Sequence, residues 1–278
     1  MNWPILLFLL TTLIQPQPRK QWVNPDPKPL TWESLQTGLD FAVADAPILC
    51  NIGDSKIRIL RIDPRHFRFR LLSTKELKHQ NLTASQWARQ YKLTAVINAG
   101  MYQMDHQTNV GYMRNFDFVN NARVGKDNCL LAFNPKDEKL PPVQIIDRTC
   151  QDWQTLMPQY QSLTQSIRMI DCQQKNRWGQ QAKYWSMVAI AVDKQGRVLF
   201  LHSRTPYSVR DFIRQIQQLP LDIYNAMYLE GGPEASFYLQ HPQRNLSAIG
   251  SYETGFFESD GNDRFWPIPN VIGIEPIK

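Results

Sequence analysis

Met227–Leu239 reads MYLEGGPEASFYL. An apolar run, Met227-Tyr228-Leu229, feeds a Gly231-Gly232-Pro233 turn, and a second apolar run ends at Leu239. Paired glycines after a strand let the backbone bend sharply and approach a ligand closely. Two carboxylates, Glu230 and Glu234, bracket this turn. Glu230 stands at the last strand position, which is a rigid edge. The plainer alternative is a strand, a tight turn and the next element, with no chemistry attached.

The rest of the chain decides what kind of sheet this strand joins. Ser186–Asp193 is an apolar run, Lys194-Gln195-Gly196-Arg197 is a turn, and Val198–His202 is the returning strand. Ile57–Ile62 and Phe67–Leu71 alternate apolar residues with arginine and are expected to pair antiparallel. Leu93–Ile97, Gly111–Val119, Cys129–Phe133, Val143–Ile146 and Val271–Ile274 are further strands, with a hairpin turn expected at 120–123. Helical spacing marks Thr83–Tyr91 and Val209–Leu219, and Thr31–Asp45 reads as a short helix entering a strand. Ser203–Tyr207 reads as a loop. Strands outnumber helices and hairpins outnumber β-α-β units. The expected class is therefore α+β, with a largely antiparallel or mixed β-sheet core and a few packed helices.

With 278 residues, 42% hydrophobic and 20% charged, the chain can bury a substantial core. The net charge is +6, but the basic residues are dispersed, so no nucleic-acid partner is expected. The mild positive field favours anionic ligands. Residues 1–18 read as a signal peptide or an N-terminal anchor. The apolar run Trp3–Ile14 is too short to span a bilayer comfortably, and Pro-rich sequence follows it. Export to the periplasm or outside is favoured; membrane association through this segment and a buried first helix stay open. Residues 19–30 read as a Pro-rich linker and 31–278 as one domain. Four separated cysteines make no zinc cage, and Cys150 with Cys172 is the first candidate for a disulfide.

Polar residues recur at strand ends: Asn98, Ser166, His202 and Glu230, with Arg168, Ser203, Arg204, Tyr207 and Glu234 close by in sequence. If the strands share one rim, it holds carboxylates for acid, base or nucleophilic work and guanidinium donors for phosphate or carboxylate. Each also has a structural reading: a satisfied core histidine, surface arginines, a solvent-facing Glu234. No cofactor is expected. The metal question stays open, with adjacent Asp105 and His106 the one weak pointer.

Four segments resemble the phosphodiester glycosidase family, which includes the lysosomal uncovering enzyme and bacterial exported proteins associated with exopolysaccharide biosynthesis. Ile97-Asn98-Ala99-Gly100-Met101-Tyr102 is similar to its Asn-Gly-Gly-Phe-Phe or Asn-Ala-Gly-Met-Tyr element. Thr164-Gln165-Ser166 is similar to its Gln-Ser-Gly-Pro element, and Ser186–Ser203 to its paired strands. Leu229–Ser236 is similar to its Leu-Asp-Gly-Gly-Gly-Ser element. Glu230 stands where that family usually has Asp, Pro233 where it has Gly, and Glu234 where it has Ser; Ile167-Arg168 replaces Gly-Pro. The resemblance implies hydrolysis of a sugar-1-phosphodiester at the anomeric carbon. It implies Asn98, His202 and Glu230 as catalytic candidates, and Ser166 and Gly232 as further site residues. Arg168, Ser203, Arg204, Tyr207, Gly231 and Glu234 complete the expected substrate-binding set. The expected partner is an anionic glycan or sugar-phosphodiester. The alternative is a non-catalytic glycan-binding or exopolysaccharide-assembly protein on the same fold.

Overall fold

Every strand pairing in the computed structural model is antiparallel, and three sheets close on one core. The model describes residues 18–22 and 29–277. Residues 1–17 of the expected export segment 1–18, and 23–28 of the Pro-rich stretch, lie outside the described residues. Within that stretch Lys20–Trp22 is a short strand paired with Ile48–Cys50, not linker.

The largest sheet has seven strands. In spatial order they are Arg168–Ile170, Ile223–Gly231, Trp185–Asp193, Val198–Tyr207, Lys56–Ile62, Leu39–Asp45 and Glu33–Gln36. A five-stranded sheet runs Arg244–Ile249, Ser236–His241, Ala95–Asn98, Asn270–Pro276 and Phe67–Ser73. The other five-stranded sheet runs Val143–Asp147, Cys129–Pro135, Tyr160–Ser166, Met113–Asn115 and Phe118–Asn121. The period-2 alternation of each strand sends one set of side chains to the shared core. Phe69 shows the convergence: its ring lies 6.1 Å from Phe133 and 6.2 Å from Phe200, one from each of the other two sheets.

Two helices cover outer faces. Val209–Gln218 is capped by the Ser208 side chain, which accepts from the Asp211 N–H. It buries Val209, Phe212, Ile213 and Ile216 against the seven-stranded sheet, at the spacing that marked it in sequence. Ala84–Tyr91 carries a Thr83–Gln86 capping box and sinks Trp87, whose indole N–H donates to the Ile268 carbonyl at 3.0 Å.

Several local expectations change. Ile57–Ile62 and Phe67–Leu71 do not pair: the turn at 63–66 carries the chain from one sheet to another, and both strands face the same core. Thr31–Asp45 holds no helix; Gly38, at φ +77, turns Glu33–Gln36 back onto Leu39–Asp45. The turn expected at 120–123 falls at Phe116-Asp117, between Met113–Asn115 and Phe118–Asn121. Ser203–Tyr207 is not a loop but the continuation of the strand from Val198, still paired to Trp185 at Tyr207.

Candidate active site

The strand Ile223–Gly231 ends where its pairing with Trp185–Asp193 slips: Tyr228 faces Ala189 and Glu230 faces Val188, leaving Leu229 as an extra residue. Such a bulge re-aims the side chains that follow it. Gly231 comes next, and a side chain there would overlap the Tyr228 hydroxyl and the Trp185 indole. Gly232 sits at φ +65, and a Cβ would meet the Glu253 carboxylate. Gly232–Glu234 then makes a single 3-10 turn into the strand Ser236–His241. Both glycines are thus required by close approach, one by an aromatic wall and one by a third carboxylate.

Glu230, Glu234 and Glu253 are each half-buried. Burial pushes Glu230 up to about 8, and the neighbouring Glu234 and Glu253 push the same way, partly offset by the Gly231 N–H, which donates to it at 3.0 Å. Burial also raises Glu234 to about 7; Glu253 adds to this, and the Tyr102 hydroxyl, donating to the carboxylate, works against it. Glu253 is raised by burial, with Lys183 opposing. Three carboxyl groups that hinder one another's ionisation, at least one protonated at neutral pH, are suited to proton transfer. Trp185 packs 6.4 Å from Tyr228, and Trp178 packs on the same ring at 6.1 Å. Tyr228 and Tyr102 are held far above the usual phenol range, both chiefly by burial and next by the carboxylates.

Of the residues expected from sequence, Glu230, Gly231, Gly232 and Glu234 meet here. Asn98 lies beneath the turn. It is 1% exposed, its amide donates to the Glu234 carbonyl at 3.0 Å, and its oxygen accepts from the Ser236 N–H at 2.8 Å. Its polar groups are spent on holding the turn, so it positions Glu234 and does not present to a ligand. His202 shares a ladder row with Glu230, with Val188 between them, but is 0% exposed. Burial, then the charge of Arg58, keeps its imidazole neutral. Asn98, His202 and Glu230 therefore do not open into one cleft as expected.

Ser166 is buried beside Cys129. The Ser203 hydroxyl donates to the Thr205 carbonyl, and Tyr207 to the Ile48 carbonyl beneath the Val209–Gln218 helix. Arg204 donates to the carbonyls of Ile249, Asp260 and Asn262 and pairs with the Asp260 carboxylate at 2.9 Å, so it ties down the 249–262 segment. These three are structural, not substrate contacts. Arg168 stands apart, paired with Asp147 on the rim of a neighbouring groove. Cys150 and Cys172 form a disulfide; Cys50 and Cys129 are free. Among the described residues, the group Asp147, Cys150 and Cys172 has metal-ligand spacing, but two of its sulfurs are bonded to each other. Asp105 spends its carboxylate on Gln107 and Thr108.

Glu253, Tyr102, Tyr228 and Trp185 are site residues that sequence reasoning missed. Tyr102 lay inside the quoted Asn98–Tyr102 element. Glu253 sits in the polar tail and reaches the site through a bridge to Trp185, a long-range pairing with no local pattern.

The fold is an antiparallel layered one, with carboxylates gathered at a glycine turn. Residues 91–275 match the Phosphodiester glycosidase family over well more than half of the chain, and the chain belongs to that family. This span includes Glu253. No curated protein matches the chain. A hypothetical protein from Synechocystis has a similar fold, with 15% identity and a TM-score of 0.58 over 90% of this chain. The match spans 64% of that protein's length, under two thirds. The zebrafish N-acetylglucosamine-1-phosphodiester alpha-N-acetylglucosaminidase catalytic domain, auto-inhibited by its pro-peptide, is similar at 12% identity and a TM-score of 0.54, over 93% of this chain and 88% of that one. Among the described residues, no helix is long and apolar enough to cross a membrane.

Proposed function

We propose that the chain is an exported hydrolase that cleaves a glycosyl phosphodiester, or a related cell-envelope glycan, at the anomeric carbon. The observation that carries this reading is the meeting of Glu230, Glu234 and Glu253 at the Gly231-Gly232 turn, walled by Tyr228 and Trp185. Water adds to the anomeric carbon, the bond from that carbon to the phosphate oxygen breaks, and a free sugar and a phosphomonoester leave. Glu230, protonated at neutral pH, donates toward the departing oxygen. Glu234, which ionises more readily, takes the proton of the attacking water. The half-buried walls exclude part of the solvent, which strengthens both interactions.

The test is a panel of sugar-phosphodiesters assayed with the wild-type chain, Glu230→Gln and Glu234→Gln. Turnover by the wild type and its loss in both variants is expected; a wild type no better than a blank ends the hydrolase reading. A non-catalytic glycan-binding role has one observation in its favour, the aromatic cluster of Trp178, Tyr228 and Trp185, which suits sugar rings without any chemistry. Binding on a glycan array with no turnover, unaffected by Glu230→Gln, selects that role. Export is supported by the Cys150–Cys172 disulfide, a bond typical of oxidising compartments. Mass spectrometry of the mature N-terminus checks it, and an intact Met1 in a membrane fraction contradicts cleavage.

A further inference from the structure

A groove of about 340 Å³ is lined by Lys126, Asp127, Ile167, Arg168, Arg177 and Trp178 among others. It adjoins the candidate site through the backbone: the Ile167 carbonyl accepts from the Tyr228 N–H at 2.9 Å, and Arg168 pairs with Met227 across the ladder. Tyr228 precedes Glu230 by two residues, roughly 7 Å along a strand. Trp178, half-exposed, links the two regions by packing on the Tyr228 ring.

The lining carries three cations against one carboxylate. Arg168 is held rigidly. Its Nη1 donates to both Asp147 oxygens, at 2.8 and 3.1 Å, and to the Thr149 hydroxyl at 2.6 Å. Asp147 is 0% exposed and also accepts from the N–H groups of Thr149 and Cys172; the disulfide at Cys172 closes this corner. One nitrogen of the guanidinium is thereby fixed, while Nε and Nη2 have no hydrogen-bond partner among the described residues. Arg177 is anchored through two nitrogens, Nε on Asp171 at 2.5 Å and Nη2 on the Gln173 side-chain oxygen at 3.3 Å. Lys126 is exposed and makes no ion pair among the described residues. The Trp178 N–H donates to the Arg168 backbone carbonyl at 2.6 Å, which fixes the indole on the groove that both residues line. A purely structural ion pair needs only the Arg168–Asp147 contact. Two anchored guanidiniums with donors to spare, a lysine and an indole around one groove make a receptor for an anion next to a flat group.

We propose that this groove binds an organic phosphate ester: the phosphate-bearing, leaving side of the substrate, with Arg168 gripping the phosphate and Trp178 covering the group attached to it. The proposal rests on the hydrolase reading for the identity of the substrate, but not for the binding itself. Phenyl phosphate, which carries both the anion and a flat ring, is the probe. It is titrated by calorimetry into the full chain as wild type, Arg168→Lys and Lys126→Gln, with methyl glucoside as the neutral control. Phenyl phosphate is expected to bind the wild type. Arg168→Lys is expected to weaken it about tenfold and Lys126→Gln severalfold, consistent with lost charged hydrogen bonds. Methyl glucoside binding is expected to be the same in all groove variants. Should Arg168→Lys fold poorly by circular dichroism, Lys126→Gln, an exposed position, decides alone. No binding of phenyl phosphate by the wild type, or equal binding by the folded groove variants, overturns the proposal. Phosphate binding without turnover of any sugar-phosphodiester overturns the hydrolase reading and leaves the groove standing.

Discussion

Asn98 and Glu234 are joined by a 3.0 Å hydrogen bond from the Asn98 amide to the Glu234 carbonyl, across 136 positions of sequence. The other end of the same amide accepts from Ser236, so a single side chain from the neighbouring strand clamps the turn on both sides of Ala235. Asn98→Ala leaves a buried carbonyl and a buried N–H without this partner, and such losses cost about 1–3 kcal/mol. The expected outcome is an unfolding free energy, from urea denaturation, lowered by that amount, with turnover reduced through a displaced Glu234. Unchanged stability with abolished activity shows instead that Asn98 meets the substrate.

Glu230→Gln keeps shape and removes the titrating proton. Loss of a general acid lowers turnover roughly 10²–10⁴-fold. The wild-type pH profile is expected to fall on the acid side near 7, as Glu234 becomes protonated, and on the alkaline side near 8, as Glu230 loses its proton. Glu234→Gln removes the acid limb; a profile with both limbs intact in that variant contradicts the assignment.

The same carboxyls act on stability. Glu230 is raised to about 8 in the folded chain, above its unfolded value of about 4.3. Between these values the folded state holds a proton that the unfolded state releases, so this group's contribution falls as pH rises through that window. Below it the penalty is absent, and above pH 8 it is complete. Thermal melts are expected to drop from pH 5 to pH 8.5, and less so in Glu230→Gln, at roughly 2–4 °C for each kcal/mol. Identical slopes in both chains would falsify the buried-proton account.

Gly232→Ala tests the turn. Its φ of +65 strains any L side chain, and the new methyl meets the Glu253 carboxylate. The expected cost is about 1–3 kcal/mol in denaturant unfolding, together with lowered turnover as Glu253 is pushed aside. A variant that matches wild type in both measurements contradicts this placement of Glu253.

Removing the disulfide with Cys150→Ser and Cys172→Ser opens a link across 22 residues, worth about 3 kcal/mol. The Cys172 backbone N–H also donates to Asp147, so freeing this segment from the disulfide loosens the support of Arg168, and phenyl phosphate affinity is expected to fall in the same variant.

How much of this was legible in the residues follows from the range of the interactions. The 186–202 hairpin and the Val209–Gln218 helix carry their periodicity locally, and both were readable; the continuation of the second strand to Tyr207 was not. The Glu230–Glu234 turn was readable because its glycines and carboxylates are contiguous. Alternation told that Ile57–Ile62 and Phe67–Leu71 are strands, but alternation does not name a partner, and they joined different sheets. Strand-end position likewise does not say whether a polar side chain faces a ligand. Asn98, Arg204 and Tyr207 all turned back to satisfy backbone groups. Glu253 was invisible because only the bridge to Trp185 brings it to the site.

The ring of Phe69, touching one phenylalanine from each of the other two sheets, carries a consequence for how the molecule fails. Each sheet contributes to the carboxylate cluster and the groove or to their support: Glu230 and Arg168 from the seven-stranded one, Asn98 beneath the turn from the second, Asp147 behind Arg168 from the third. Because all three lean on one interior, no sheet can melt while the others keep their packing. Heat or denaturant should extinguish the carboxylate cluster and the phosphate groove together, in a single cooperative step.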